Sequence, residues 1–392
     1  MSKVNLLHLS DLHFGLESLQ KLKKIVIEKR EQILNKLILK LENLNELWKP
    51  NIIVISGDIG FSGEKENYED AGKWIEIILK KLKLNIEKLI LCPGNHDRYI
   101  KDIMKLKQLY PRIEDVDRFL EKANITNLGK RFNAYSEFCS KFNIPPLIFS
   151  EQENHLIGFR EIQELRFVIL NSAWFSLGGD KDRGKIFIGL PHISEMKNKG
   201  YLKNPEMTED ITISVLHHPF EWLNQSEIDK YGERNASYVE LAKNCDIILS
   251  GHTHGEELFE PDKKFSSAWL FKTGAIFDKD PLVYNCEILQ LDTINRSANR
   301  LKLYYHESIG WIEEVDKKNP YLFTNGLSRL RFNSKKILNE IYDKIGKELK
   351  VNRSAICEEI KEDLKNSHLY FITGEPHVGK ADILNDLALD LI

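Results

Sequence analysis

The stretch His8-Leu9-Ser10-Asp11-Leu12-His13-Phe14-Gly15 decides how this chain is read. An apolar run over residues 4–9 stops at a carboxylate and an imidazole two residues apart. The arrangement recurs. Apolar runs over 52–56, 89–92, 211–216 and 247–250 give way to Gly57-Asp58, Gly94-Asn95-His96-Asp97, His217-His218-Pro219 and Gly251-His252-Thr253-His254. A further apolar run covers 167–170. Runs of this length, ended by Gly, Asp or His, read as buried strands. Helical patterns lie between them. Leu34, Leu37, Leu41, Leu44 and Trp48 share one face across 20–48, and Ala71, Trp74, Ile75, Ile78 and Leu82 share another. Strands alternating with helices predict an α/β fold with the strands' carboxyl ends on one rim.

Carboxylates, imidazoles and an amide oxygen form the ligand set of borderline divalent metals such as manganese, iron, zinc or nickel. Side chains two apart in an extended segment point the same way, so Asp11 and His13 are expected to reach one ion together. His252 and His254 are expected to divide between neighbouring ions. Glycines at 57, 94 and 251 are expected to let the backbone turn sharply beside the site. Each piece alone is commonplace. Five of them, each at a strand end, carry the reading together.

With 392 residues, 42% hydrophobic and 29% charged, the chain belongs to the soluble globular class and has room for a large domain and an appendage. A net charge of −3 gives no bulk push toward nucleic acid or acidic membranes. Cys92, Cys139, Cys245, Cys286 and Cys357 are scattered without CxxC spacing, as expected of reduced thiols in a cytoplasmic protein. No secretory-type apolar segment opens the chain, and no apolar run is long enough to cross a bilayer.

The motifs Asp11-x-His13, Gly57-Asp58, Gly94-Asn95-His96-Asp97, His217 and Gly251-His252-x-His254 resemble, in order, those of the calcineurin-like metallophosphoesterases. The resemblance covers about residues 4–310 and implies a four-layer αββα sandwich with two divalent metal ions at the rim. It implies that Asp11, His13, Asp58 and His254 hold one ion. Asp58, Asn95, His217 and His252 would hold the other, with Asp58 bridging. His218 remains the alternative to His217, the family's usual ligand. His96 would protonate or stabilise the leaving oxygen, with Asp97 orienting its ring. Manganese is the expected metal, since no thiolate selects for zinc.

Residues 1–315 are read as the phosphoesterase domain, with 99–165 a mostly helical insertion or cap and 175–210 a loop-rich connection. Further strands are expected at 268–272, 283–291 and 301–305. Residues 316–366 read as a helical linker and 367–392 as the start of a P-loop unit, built on Gly374-x4-Gly379-Lys380 after an apolar strand. Ala381 replaces the usual magnesium-holding hydroxyl, so the segment is expected to be an incomplete nucleotide site that docks on the domain or on another copy. An effector enzyme before a P-loop resembles the STAND class of signalling ATPases, which implies a defence protein with a nuclease head. Lys21, Lys23, Lys24, Lys29, Arg30, Lys36 and Lys40 make the first helix basic, as tracking a phosphate backbone requires. The expected substrate is a phosphodiester, most of all nucleic acid. A small-molecule phosphodiesterase is the alternative, and a non-catalytic module with a vestigial site the next.

Overall fold

A computed structural model describes residues 3–19, 23–99, 112–121, 128–205, 208, 210–254, 257–259, 268–278, 284–323, 357–358 and 360–362. The chain divides into two compact units, Met1–Thr324 and Asn325–Ile392. In the second, only 357–358 and 360–362 are described, and they are helical. The expected P-loop residues Gly374, Gly379 and Lys380, with most of the expected linker, lie outside the described residues.

The first unit is built on two sheets. In one, β1 (Lys3–Leu9), β2 (Ile52–Ile55) and β3 (Leu89–Leu91) run parallel. On the other side of β1, β12 (Asn285–Asp292), β13 (Ser297–His306) and β14 (Gly310–Val315) return antiparallel. The second sheet has a parallel centre of β7 (Leu165–Ile169), β8 (Ile211–Val215), β9 (Ile247–Ser250) and β11 (Trp269–Lys272). The alternation of strand side chains explains the packing. Val4 and Leu6 of β1, with Ile52, Val54 and Ile90, meet Phe167, Ile169, Ile213, Val215 and Leu249 in an apolar layer between the sheets. Leu7, Leu9, Ile53 and Ile55 face the other way, against Ile33, Leu34, Leu37 and Leu41 of helix α1 (Lys23–Glu42) and Ala71, Ile75 and Ile78 of helix α2 (Lys65–Lys81). Residues buried on both faces read as unbroken apolar runs, which is what the sequence shows.

Four expectations change. The segment 99–165 is helical only in part: α3 (Ile113–Phe119) and α4 (Asn133–Lys141) are followed by short strands β4 (Leu147–Phe149), β5 (Gln152–Asn154) and β6 (Gly158–Ile162). These extend the second sheet beyond β7; strands at its edge bury few residues and so give a weak sequence pattern. The region 175–210 contains a helix, α5 (Leu190–Asn198), opened by Pro191 and burying His192, Ile193 and Met196. And β15 (Tyr321–Leu322) pairs with β13, carrying the first unit past residue 315. The expected helix across 20–48 stops at Glu42; Asn45 then caps a single 3-10 turn.

The basic helix is also not a free cationic stripe. Lys29 pairs with Glu307 (3.1 Å) and Lys40 with Glu313 (2.8 Å), both near β14, and Lys24 pairs with Glu28. Arg30 is buried, ion-paired with Glu17 and stacked over Phe14 at 4.7 Å, so it belongs to the core rather than to a docking face.

Candidate metal centre

Asp11 and His13 follow β1, Asp58 follows β2, and Asn95 and His96 follow β3; His217, His252 and His254 follow β8 and β9. These strands lie in two facing sheets, and their ends converge. The carboxylate oxygen Oδ2 of Asp58 lies between two imidazoles, 3.3 Å from Nε2 of His13 and 3.1 Å from Nε2 of His217. Around that His217 nitrogen also gather Oδ1 of Asn95 at 3.1 Å and Nδ1 of His252 at 3.2 Å. On the other side, Oδ1 of Asp11 lies 3.3 Å from Nε2 of His254 and 3.8 Å from Nε2 of His13. All seven candidate ligands therefore fall into two groups that share Asp58.

Each inner nitrogen is aimed by what the outer one holds. His217 donates from Nδ1 to the Ser56 carbonyl (2.9 Å), and His13 from Nδ1 to the Phe277 carbonyl (3.1 Å). A carbonyl only accepts, so Nε2 is the nitrogen that faces inward and is free to ligate a metal once it gives up its proton. His218 has Nδ1 on the Ser172 hydroxyl at 2.9 Å, yet it still offers a ligand atom within 4.8 Å of those of His217 and His252, so it remains the alternative. Of the adjacent pair, His217 is the one that meets Asp58 and Asn95.

The backbone beneath these side chains is unusual. Asp11, His13, Asp58, His252 and His254 all have positive φ, between 48° and 71°. This left-handed conformation costs a non-glycine residue about 1–2 kcal/mol. The expectation that Asp11 and His13 align because their segment is extended is therefore corrected: the strand has ended, and the turn itself brings them together. It is held by amides of Asp11, Leu12 and His13 donating to the carbonyls of Gly57 and Asp58. Of the three glycines, only Gly57 needs its own positive φ, 112°; Gly94 and Gly251 supply space. A Cβ at 94 would fall 2.1 Å from Oδ1 of Asp58, and one at 251 would fall 1.8 Å from Oγ of Ser10.

The electrostatics fit cations. Burial pushes the Asp58 carboxyl up, but His217, His96 and His13 overcome this and hold it well below the usual carboxylate range. Asp11 is likewise depressed, by His254 and His217 against the cost of burial. Burial works against charge on the imidazoles too, yet Asp58 raises His217 to about 9, and Asp11 and Asp278 raise His254 to about 10. The carboxylates thus stay charged and draw positive charge to the points where the Nε2 atoms meet them. His252, governed by burial and by His217, falls to about 3 and stays neutral, a ready ligand. The donor set and its charge suit two divalent ions.

His96 lies beside this cluster: its amide donates to Oδ1 of Asp58 at 2.7 Å, and its ring stacks on Phe61 with centroids 4.7 Å apart. Asp97 does not orient it. The ring's Nδ1 donates to the Phe61 carbonyl (2.7 Å), while Asp97 turns away to accept from the amides of Gly94, Gly60 and Ile59 and from the Tyr68 hydroxyl. Those donors pin the loop after β3 to the loop after β2, a structural task that the adjacent sequence positions did not reveal. Asp278, which the sequence reading passed over, accepts from Nδ1 of His254 at 2.9 Å. Its only sequence signal is a carboxylate following an apolar run, several residues later than at the other strand ends.

These features make a candidate centre for divalent metal ions. The family model for calcineurin-like phosphoesterases matches residues 4–256, and the chain belongs to that family. It is 24% identical over 268 residues to the uncharacterized metallophosphoesterase-like protein YydB of Bacillus subtilis, covering 64% of this chain and 49% of that protein. The chain thus spans about half the length of the curated relative it matches. Among solved structures, it is similar to a conserved uncharacterized protein of Streptococcus pneumoniae, described as a predicted phosphoesterase (9% identity, 81% of this chain and 99% of that one, TM-score 0.29). Vps29 of Chaetomium thermophilum is another (10% identity, 82% and 100%, TM-score 0.32). Among the described residues, no helix is long and apolar enough to cross a membrane.

Proposed function

We propose that the chain is a two-metal phosphodiesterase acting on nucleic acid, with manganese its most active metal in vitro. The observation that carries the two-metal reading is Asp58, whose Oδ2 stands 3.3 Å from His13 and 3.1 Å from His217 and so links both ligand groups. Asp11, His13 and His254 would hold one ion, and Asn95, His217 and His252 the other. Ions held there would supply Lewis-acid polarisation of a phosphoryl oxygen and of the attacking water. His96 handles the proton at the leaving oxygen: Phe61 holds its Nδ1, leaving Nε2 for the reaction.

Support for a substrate carrying planar groups on both sides of the phosphate comes from aromatic rings flanking the centre. Phe61 stacks on His96, and Trp222 stands edge-on to His252 with centroids 4.0 Å apart; both aromatics are partly exposed. Such faces stack bases without regard to sequence. The role as nuclease head of a STAND-type defence protein, and a weak nucleotide site at Gly374, Gly379 and Lys380, belong to the same proposal. The test compares manganese-dependent turnover of a small chromogenic diester, a monoester, DNA and RNA, with Asp58→Ala as the blank. Polynucleotide cleavage absent from the blank supports the proposal. Monoester turnover alone would overturn it.

A further inference from the structure

The family match ends at residue 256, yet the first ligand group is braced by a segment beyond it. After β11 the chain runs back along the Asp11 turn. The amide of Ile276 donates to the Ser10 carbonyl and that of Phe277 to the Asp11 carbonyl, each at 3.1 Å. The Phe277 carbonyl then accepts from Nδ1 of His13 at 3.1 Å. Next to it, Asp278 Oδ2 accepts from Nδ1 of His254 at 2.9 Å, while its Oδ1 lies 3.9 Å from Nδ1 of His13. Asp278 is largely buried, its side chain 14% exposed.

The contrast between the two ligand groups is instructive. His217 and His13 rest on neutral carbonyls, whereas His254 alone among them rests on a carboxylate. A carboxylate behind an imidazole fixes the ring's tautomer and raises the donor strength of the far nitrogen more than a carbonyl does. His254 is also itself left-handed, with φ 55°, a few residues after β9 and before β10 (Glu257–Phe259), and is the most exposed of the candidate ligands, its side chain 37% exposed. A ring so placed needs a partner to hold it.

We infer that Asp278 is a positioning residue that orients His254 and so sets the affinity of the Asp11–His13–His254 side for its metal, leaving the His217 side unaffected. The inference rests on the two-metal reading above, and no substrate is needed to test it. Manganese would be titrated into metal-stripped wild type, Asp278→Ala and Asp278→Asn, with stoichiometry from calorimetry and paired-ion signals from electron paramagnetic resonance. Asp278→Ala is expected to bind one ion about 10–100-fold more weakly and the other as the wild type does. Asp278→Asn keeps an acceptor for Nδ1 without the charge and is expected to recover part of that loss. Unchanged affinity for both ions in Asp278→Ala would overturn the inference. So would equal loss at both ions without recovery in Asp278→Asn, which would mark general damage. A wild type that binds fewer than two ions would instead sink the two-metal reading itself.

Discussion

Gly94 faces Asp58 so closely that a single added carbon at position 94 would fall 2.1 Å from the carboxylate oxygen Oδ1 and 2.4 Å from the Asp58 amide. Neither atom has room to retreat, since Asp58 is buried and its backbone is pinned by the Asp11 turn. Gly94→Ala is therefore expected to push Asp58 out of place. Overpacking of this kind costs about 1–3 kcal/mol. The variant should lose metal at both groups and at least about tenfold in turnover, as read by metal analysis beside kinetics. Full metal content would show that the loop yields more easily than the geometry implies.

His96 and Asp58 should separate in their effects. Asp58→Ala removes the oxygen common to both groups and should abolish hydrolysis together with paired metal binding. His96→Ala keeps the backbone amide that donates to Asp58, so metal content should stay near normal. Turnover should nevertheless fall about 10²–10⁴-fold, the usual range for a lost proton-transfer group. Metal loss in this variant would make His96 a ligand.

Asp97 is expected to matter for folding first. Asp97→Ala strips three backbone amides of their acceptor in a buried setting, while the Tyr68 hydroxyl keeps the carbonyl of residue 97. Each buried group left unpaired costs about 1–3 kcal/mol. Urea unfolding should show a loss well above that of Tyr68→Phe, which removes one donor and leaves the carboxylate its amides. Equal losses would mean the amides find other partners.

Acid should weaken the sandwich through Glu287. Burial pushes its carboxyl up, but Arg300 (2.6 Å) and His8 (2.8 Å) overcome this and bring it down to about 2. The folded form thus binds this proton less readily than the unfolded chain, whose carboxyl titrates near the usual 4.5. Its stabilising contribution is complete above that value and disappears as the pH falls toward about 2. Glu287→Gln should flatten stability against pH in this window and leave Arg300 with Asp316 (3.5 Å) as its remaining carboxylate, so the loss should fall below the about 3–5 kcal/mol of a fully broken buried pair. Melting curves from pH 2 to 7 on both proteins would check it.

Chelation should both stop hydrolysis and lower the melting temperature. Ions that bind the folded chain alone stabilise it by about 2.7 kcal/mol at a hundredfold excess over the dissociation constant. Scanning calorimetry with and without chelator, repeated on Asp58→Ala, reads the effect; the variant should respond far less.

What the sequence determined by itself was the parallel heart of the fold and the inventory of its site. Strands buried on both faces must be apolar without interruption, so β1, β2, β3, β8 and β9 are visible as runs, and the polar residues that end them are visible by contrast. The hairpin strands of 147–162 are not, because they bury few residues: Leu147 and Phe149 in β4, none in β5, and Gly158 and Ile162 in β6. How His217 meets Asp58 and Asn95 was decided by tertiary structure alone: its ring is aimed by the carbonyl of Ser56, 161 positions away in the chain. The same holds for Asp97, whose partners lie in the loop after β2, and for Asp278, brought to His254 by the return of the chain after β11. The left-handed turns under Asp11, His13, Asp58, His252 and His254 belong here too. Local preference disfavours that conformation for such residues, and only contacts between distant segments can hold five of them in it at one place.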